Sequence, residues 1–400
     1  MWFFLSIKNL FRNLRRTIAI SLTVAMGTGA LFAFDGFING VLKELRYSTI
    51  HANYGYGQIF TAGYKEKVFE EPTKQWIENG AELEEFLYSI DGVESVFPRV
   101  GFSALLKSNR TTVSGFGQGV IAAREAEFFH SLNIEEGEPL QDQRMGLLLG
   151  KGLAKALQVE PGDLVQVIAT SNKGYLKKDR FQVTGIFHTG ASDFDNRMFR
   201  IQLPEAQKLL KTAKIESVAL GIDDKVHWGE ISEKIQEAYP QLEASSFDVL
   251  DKIYYQHSVQ WLKAQFKVVL IIILTIVLLG IFNSISSSIL ERKQEIGNLR
   301  ANGEPVLKVM KVVLAEGGLI ALLGSSIGML SAYSLLTLLS RGGLMMPPGP
   351  GQTRPFLVTF SFEWQSIGIT LALSLFAALV ASFIAAFKVA RLPIAKALRS

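Results

Sequence analysis

The densest run of ionisable side chains in this 400-residue chain is Glu291-Arg292-Lys293-Gln294-Glu295-Ile296-Gly297-Asn298-Leu299-Arg300. It follows the uncharged stretch Val268–Leu290 and precedes a second, glycine-rich apolar stretch. A charge at the centre of a bilayer costs several kcal/mol, so an ionic helix between two apolar spans must lie in water or headgroups. The chemistry open to it is electrostatic rather than covalent. Glu291, Arg292, Glu295 and Arg300 offer charge to a partner surface, Ile296 and Leu299 offer apolar contact, and the position suits a lever pushed from the cytoplasm.

Other groups that could do chemistry are weaker on inspection. Met145-Gly-Leu-Leu-Leu-Gly-Lys-Gly superficially resembles a phosphate loop, but its spacing is one residue short and Gly152 stands where a hydroxyl is needed. A tight strand-to-helix turn is expected there. The glycines of Ser114-Gly-Phe-Gly-Gln-Gly miss the dinucleotide spacing and are expected in a surface loop or strand-edge turn. His51, His130, His188, His227 and His257 form no i, i+4 pair, so no metal site is expected. No serine or carboxylate pair sits in a hydrolase context, so the chain reads as non-catalytic, with no cofactor of its own. The absence of cysteine leaves the chain without disulfides or thiolate ligands.

The elements that must position the ionic segment are membrane-length. The mean hydropathy of +0.23 is high for a soluble protein and low for one wholly in lipid. Thr17–Phe34, Val268–Leu290, Gly317–Ser340 and Trp364–Phe387 are uncharged, and about 20 apolar residues suffice to cross a bilayer core. Lysine and arginine flank the first span at its start, fill the segment after the second, and follow the fourth, which puts both termini and the ionic segment on the cytoplasmic side. The charge is split accordingly. Leu45–Leu262 carries 23 basic and 30 acidic residues and the remainder 18 and 7, so the net +4 reports membrane topology and not nucleic-acid binding.

The fold class expected is an α+β membrane protein with four transmembrane helices and a large mixed α/β domain between spans one and two. Residues 1–16 read as an amphipathic cytoplasmic helix, 17–44 as the first transmembrane helix, uncleaved, with an outward extension, and 45–252 as the external domain. Residues 253–290 read as stalk and second helix, 291–311 as the cytoplasmic segment and 312–340 as the third helix. An external loop (341–363), the fourth helix (364–388) and a cytoplasmic tail (389–400) complete the chain. Within the domain, strands are expected at Gly57–Thr61, Gly92–Pro98, Leu147–Gly150, Leu164–Thr170 and Arg180–Phe187, and helices at Ala81–Ser89, Lys151–Leu157 and Pro204–Leu210. In the third span, Gly317, Gly318, Gly324 and Gly328 line one side, with Gly324-x-x-x-Gly328 a close-packing face. Glu316 is expected to snorkel to the interface, and Met345–Gly351, rich in proline, to be an extended connector.

Glu-Arg-Lys-x-Glu-Ile-Gly-x-Leu-Arg-x-x-Gly resembles the signature of the FtsX/MacB/LolE permeases of ABC systems. The likeness extends to Lys8-Asn-Leu-x-Arg-Asn-Leu-x-Arg-Thr17, to Leu149-Gly-Lys-Gly-Leu-Ala-x-Ala-Leu-x-Val-x-x-Gly-Asp-x-Val165 and to Phe181-x-Val-x-Gly-Ile-Phe187. Phe194-Asp-Asn, Leu203–Leu210 and the ending Ala390–Arg399 continue it. The resemblance implies a MacB-like periplasmic domain, an inner-membrane location, and a second permease subunit. It also implies a separate ABC ATPase subunit that carries ATP and Mg, with its force relayed to the periplasm. Layout points to the LolC/LolE branch, hence a lipoprotein substrate and a periplasmic carrier. The alternatives are MacB-like export of peptides or amphiphiles and FtsX-like control of cell-wall hydrolases. An acyl chain gains about 0.8 kcal/mol per buried CH₂, so a lipoprotein path needs apolar surface open to the outside. Phe32, Phe34, Phe37 and Val41, facing Trp261, Leu262, Phe266 and Leu270 across a permease pair, are expected to supply it.

Overall fold

The computed structural model describes residues 10–12, 14–64, 75–141, 145–223, 226–251, 257–291, 293–340, 344–348 and 353–390. The expected amphipathic start and the tail therefore lie largely outside the described residues. The chain divides into two compact units: residues 1–44, 260–345 and 357–400 form one, and residues 45–259 with 346–356 form the other.

The second unit is built on a ten-stranded sheet. Its strands are β1 (Gly57–Thr61), β2 (Val93–Lys107), β3 (Thr112–Val120), β4 (Ile134–Gly137), β5 (Gly146–Gly150), β6 (Leu164–Thr170), β7 (Leu176–Phe187), β8 (Met198–Gln202), β9 (Ser217–Ile222) and β10 (Leu242–Ser246). The pairings β2–β3, β3–β8, β8–β5, β5–β7, β7–β6 and β6–β2 close a six-stranded ring, with β3–β8 and β5–β7 parallel. Closure removes the open edges that would template aggregation. The strand β6 shows how sequence drives this, since Val165, Val167 and Ala169 alternate inward and are buried while Leu164 and Thr170 face out. Phe102, Leu147, Leu149, Phe181, Val183 and Phe199 fill the same core, each contributing about 1.5–3 kcal/mol by burial.

Two expectations are corrected here. The glycine run is not a surface loop but the middle of β3. A Cβ on Gly115 would meet Leu106, one on Gly117 would meet Phe199 and Phe102, and one on Gly119 would meet Ala206 and Val100. Beyond Val113 the inward face of β3 is glycine, at 115, 117 and 119, because large neighbours occupy the space a side chain would need. The strand expected to end at Pro98 runs on to Lys107. Pro98 pairs with Val218 of β9 on one edge, while pairing with β3 on the other begins only at Val100, so its missing N–H costs little. A smaller difference is that β7, expected from Arg180, already starts at Leu176.

The helices of this unit are α2 (Gly80–Ser89), α3 (Ala122–Phe128), α4 (Lys151–Leu157), α5 (Ser192–Asp195), α6 (Leu203–Leu210, with Pro204 in its first turn), α7 (Trp228–Ala238) and α8 (Phe247–Leu250). The Walker-like segment is the strand-to-helix turn from β5 into α4. Its glycines admit a neighbour and not a phosphate: a Cβ on Gly150 would meet the Asp195 carbonyl, and one on Gly152 the Asn196 side chain.

The first unit is helical. α1 (Leu14–Thr49) enters the second unit at its end, and α9 (His257–Glu291), α10 (Lys293–Ala301), α11 (Val306–Leu339) and α12 (Trp364–Ala390) complete the set. Two short strands, β11 (Leu344–Met346) and β12 (Phe356–Val358), pair with each other, so the connector expected from Met345 begins as a strand and loses it at Pro347. Three helices among the described residues are long and apolar enough to cross a membrane: Thr17–Tyr54, Val259–Gly280 and Trp364–Lys388. The other expected span, Gly317–Ser340, is helical to Leu339 within α11.

Small residues let these helices approach. Gly324 faces the Ser21 carbonyl and Val24, and Gly328 the Ala25 carbonyl, all on α1. Gly317 and Gly318 instead face Ser382, Leu375 and Leu379 on α12, so the four glycines serve two neighbours. A buried hydroxyl row ties the three helices, with Ser325 Oγ 2.7 Å from Ser374 Oγ and 3.4 Å from Thr28 Oγ1. Glu316 does not snorkel outward, because it is only 6% exposed within the helical packing. It sits one residue before Gly317, where a Cβ would overlap the Ser382 side chain of α12.

Candidate functional site

The ionic segment is helical on both sides of Arg292, which itself lies outside the described residues. α10 stops where Gly303, at φ +85°, donates its N–H to the Arg300 carbonyl at 3.1 Å. That left-handed position suits glycine. Pro305 then precedes the first turn of α11, and Lys308 Nζ donates to Glu304 Oε1 at 2.7 Å. Glu291 is exposed at the end of α9, and Arg300 is partly buried. Ile296 and Leu299 lie on α10, with their side chains outside the described set. Glu295 Oε1 accepts from Arg12 Nη2 at 2.7 Å, with both side chains about half exposed. An exposed pair of this kind contributes less than about 1 kcal/mol, so its effect is orientation more than stability.

The expected apolar cleft residues are only partly brought together within the chain. Phe266 of α9 takes two rings of α1 edge-on, Phe34 at 6.0 Å and Phe37 at 6.2 Å between centroids. Phe37 also lies 6.2 Å from Phe360. Phe32 is 2% exposed and stacked on Phe362 at 4.8 Å, and Val41 is 4% exposed. Neither therefore lines an open surface. Gly36 and Gly40 let residues 359–362 lie this close, since a Cβ on either would overlap Phe362 or the Thr359 carbonyl. Trp261 is exposed, Leu262 half-buried, and Leu270 packs against the helical core. Further along α9, Val268, Ile271, Ile272, Ile276 and Leu279 are exposed.

The α/β unit holds charged side chains to which the sequence reading assigns no role. Arg99 in β2 stands between Pro98 and Val100, Arg200 in β8 between Phe199 and Ile201, and they are 1% and 2% exposed. A lone guanidinium in a buried strand is the signal that points to them, because it must be paired. A second cluster surrounds Asp195, which accepts from Thr189 N, Thr189 Oγ1 and Gly190 N at 3.0, 2.9 and 3.1 Å. Burial nevertheless raises its carboxyl above the usual range, against the opposing pull of those donors and of His188. His188 Nε2 lies 2.7 Å from Thr353 Oγ1, and the Thr353 amide donates to the Gly190 carbonyl at 2.8 Å. The connector around Thr353 thus belongs to this unit. Among the described residues, no group of three His, Cys, Asp or Glu side chains is arranged to hold a metal.

A helical unit of membrane-length helices, a polar helix-turn-helix at one end of it, and a large α/β unit inserted after the first helix define a membrane permease component. Residues 17–238 match the MacB-like periplasmic core domain and residues 267–394 the FtsX-like permease C-terminal domain, and the chain belongs to this family of ABC transporter permeases. It is 25% identical over 261 residues to the lipoprotein-releasing system transmembrane protein LolC of Xylella fastidiosa, a match spanning 62% of each chain. It is 22% identical over 395 residues to the lipoprotein-releasing system transmembrane protein LolE of Haemophilus influenzae, spanning 94% of this chain and 92% of that one. Among solved structures, the periplasmic region of MacB from Actinobacillus actinomycetemcomitans matches at 15% identity and a TM-score of 0.37, covering 49% of this chain and 90% of that one.

Proposed function

We propose that the chain is a permease subunit of an inner-membrane ABC complex that releases lipoproteins from that membrane toward the outer membrane. The observation that carries this reading is the LolE match over nearly the whole chain, supported by the LolC match. In this reading four helices span the membrane, α11 being the third. Both termini and Glu291–Arg300 are cytoplasmic, and residues 45–252 are periplasmic. A separate ATPase subunit binds ATP and Mg and presses on α10. A second permease subunit completes the pair, and a periplasmic carrier accepts the lipoprotein. Phe34, Phe37, Phe266 and Trp261 are the aromatic groups left to meet acyl chains.

Depletion followed by fractionation of lipoproteins tests the reading. Outer-membrane lipoproteins stranded in the inner membrane are the expected result. Normal lipoprotein placement with raised sensitivity to amphiphiles would mean export instead, and a failure of cells to separate would mean regulation of wall hydrolases. The purified chain alone is expected to hydrolyse no ATP, and turnover by it would overturn the division of labour.

A further inference from the structure

Helix α1 does not end in an ordinary turn. Its last residues loosen into a π-turn, Ile50–Tyr54, closed by the Gly55 amide on the Ile50 carbonyl at 3.0 Å. Gly55 has φ +65°, and a Cβ there would meet the Leu220 carbonyl, so only glycine lets the chain turn away here. The last carbonyls of a helix have no partner within it. Two of them are gripped by arginines. Arg200 Nη2 donates to the Ala52 carbonyl at 3.3 Å and to Asn53 Oδ1 at 3.1 Å. Arg99 Nη1 donates to the Asn53 carbonyl and, at 3.3 Å, to Asn53 Oδ1. Both arginines also hold Glu125 of α3: Arg99 Nε lies 2.6 Å from Oε1, and Arg200 Nη1 2.8 Å from Oε2. Glu125 is 3% exposed, and the Phe129 ring lies 4.4 Å from the Arg99 guanidinium carbon.

Two buried cations around one carboxylate are a poor way to stabilise a core, since apolar residues of similar volume often do as well or better. Arg99 Nη2 and Arg200 Nε find no hydrogen-bond partner among the described residues. Burial, with the charge of Arg99, pushes Arg200 down to about 10 despite the pull of Glu125, so it stays charged near neutral pH. What this arrangement supplies, and an apolar core does not, is directional donors on two backbone carbonyls.

We propose that Arg99, Glu125 and Arg200 are positioning residues for transport: they clamp the π-turn at the end of α1 to strands β2 and β8, so that a displacement along α1 reaches the external sheet instead of dissipating in a loosened turn. The proposal rests on the permease reading above. The chain has no cysteine, so spin labels on Arg46→Cys and Glu127→Cys, both exposed and within the second unit, report the position of the end of α1 relative to α3 in the assembled complex. The parent is expected to give one narrow distance distribution. Arg200→Met is expected to broaden it while hydrogen exchange in β5 stays as slow as in the parent. Transport should then fall about tenfold, the scale of a lost coupling, with ATP hydrolysis by the complex unchanged. Should Arg200→Met lose exchange protection in β5, Arg200→Lys gives the decisive reading, because it keeps a cation beside Glu125 and lacks the guanidinium fork that reaches the Ala52 carbonyl and Asn53 Oδ1 at the same time. A parent-like distribution in Arg200→Lys, or transport and hydrolysis falling together, overturns the clamp. If the parent complex moves no lipoprotein, the distance measurement still decides the clamp, and only the transport reading falls.

Discussion

Glu216, just before β9, is an acid whose environment works against its charge. Burial raises its carboxyl above the usual range, although Tyr64, the Gly101 amide and the Arg99 charge favour the ionised form. The folded chain therefore keeps a proton there to higher pH than the unfolded chain does. The stability this brings is complete below the unfolded value and is lost as pH rises through the raised folded value. Glu216→Gln keeps an acceptor for Tyr64 and Gly101 but cannot ionise. Its unfolding midpoint should fall less than the parent's as pH rises from about 4.5, the ordinary glutamate value. Parallel slopes for the two proteins would assign the pH dependence elsewhere.

At the scale of elements, packing and coupling are separable. Gly328 leaves no room for a Cβ against the Ala25 carbonyl, whereas a Cβ on Gly368 of α12 would meet nothing within 4 Å. Gly328→Leu should force α1 and α11 apart and cost about 1–3 kcal/mol or more, read as a lower melting temperature in detergent, with Gly368→Leu near the parent. Equal melting of the two variants would refute the close approach. The Arg12–Glu295 pair behaves differently, because it is exposed and worth little in stability. Arg12→Glu and Glu295→Arg should each leave melting within about 0.5 kcal/mol of the parent while lowering transport per ATP hydrolysed, and the double swap should restore the ratio. Failure of the swap to restore coupling would reduce the pair to a bystander.

For the whole molecule, the aromatic contacts between α1 and α9 set the expectation for substrate. Photo-crosslinkers at Phe34, Phe37, Leu262 and Phe266 should capture lipoprotein in the resting complex and lose it on ATP binding. Capture is expected to be weaker by about tenfold at Phe32, which is stacked under Phe362 and buried. Crosslinks only to bulk lipid, in a complex that still transports, would displace the path from this face.

Much of this was written in one dimension. Membrane-length apolar runs, lysine and arginine placement, the ionic segment and alternation in β6 depend on neighbours within a few residues, so composition and period determine them. The glycine run in β3 was misleading for a physical reason: its side chains are absent because Phe102, Phe199 and Ala206, distant in sequence, need the space. Pro98 misled likewise, as its tolerance depends on where β2 changes partners. The burial of Glu316, the meeting of Phe34 and Phe37 with Phe266 inside one chain, and the Arg99–Glu125–Arg200 clamp are decided only when segments tens to hundreds of residues apart converge. Sequence alone determined the apolar runs, the ionic segment and the alternation of strands such as β6; the tertiary structure decided which residues are buried and which of them touch, because long-range pairing follows from chain closure and not from local pattern.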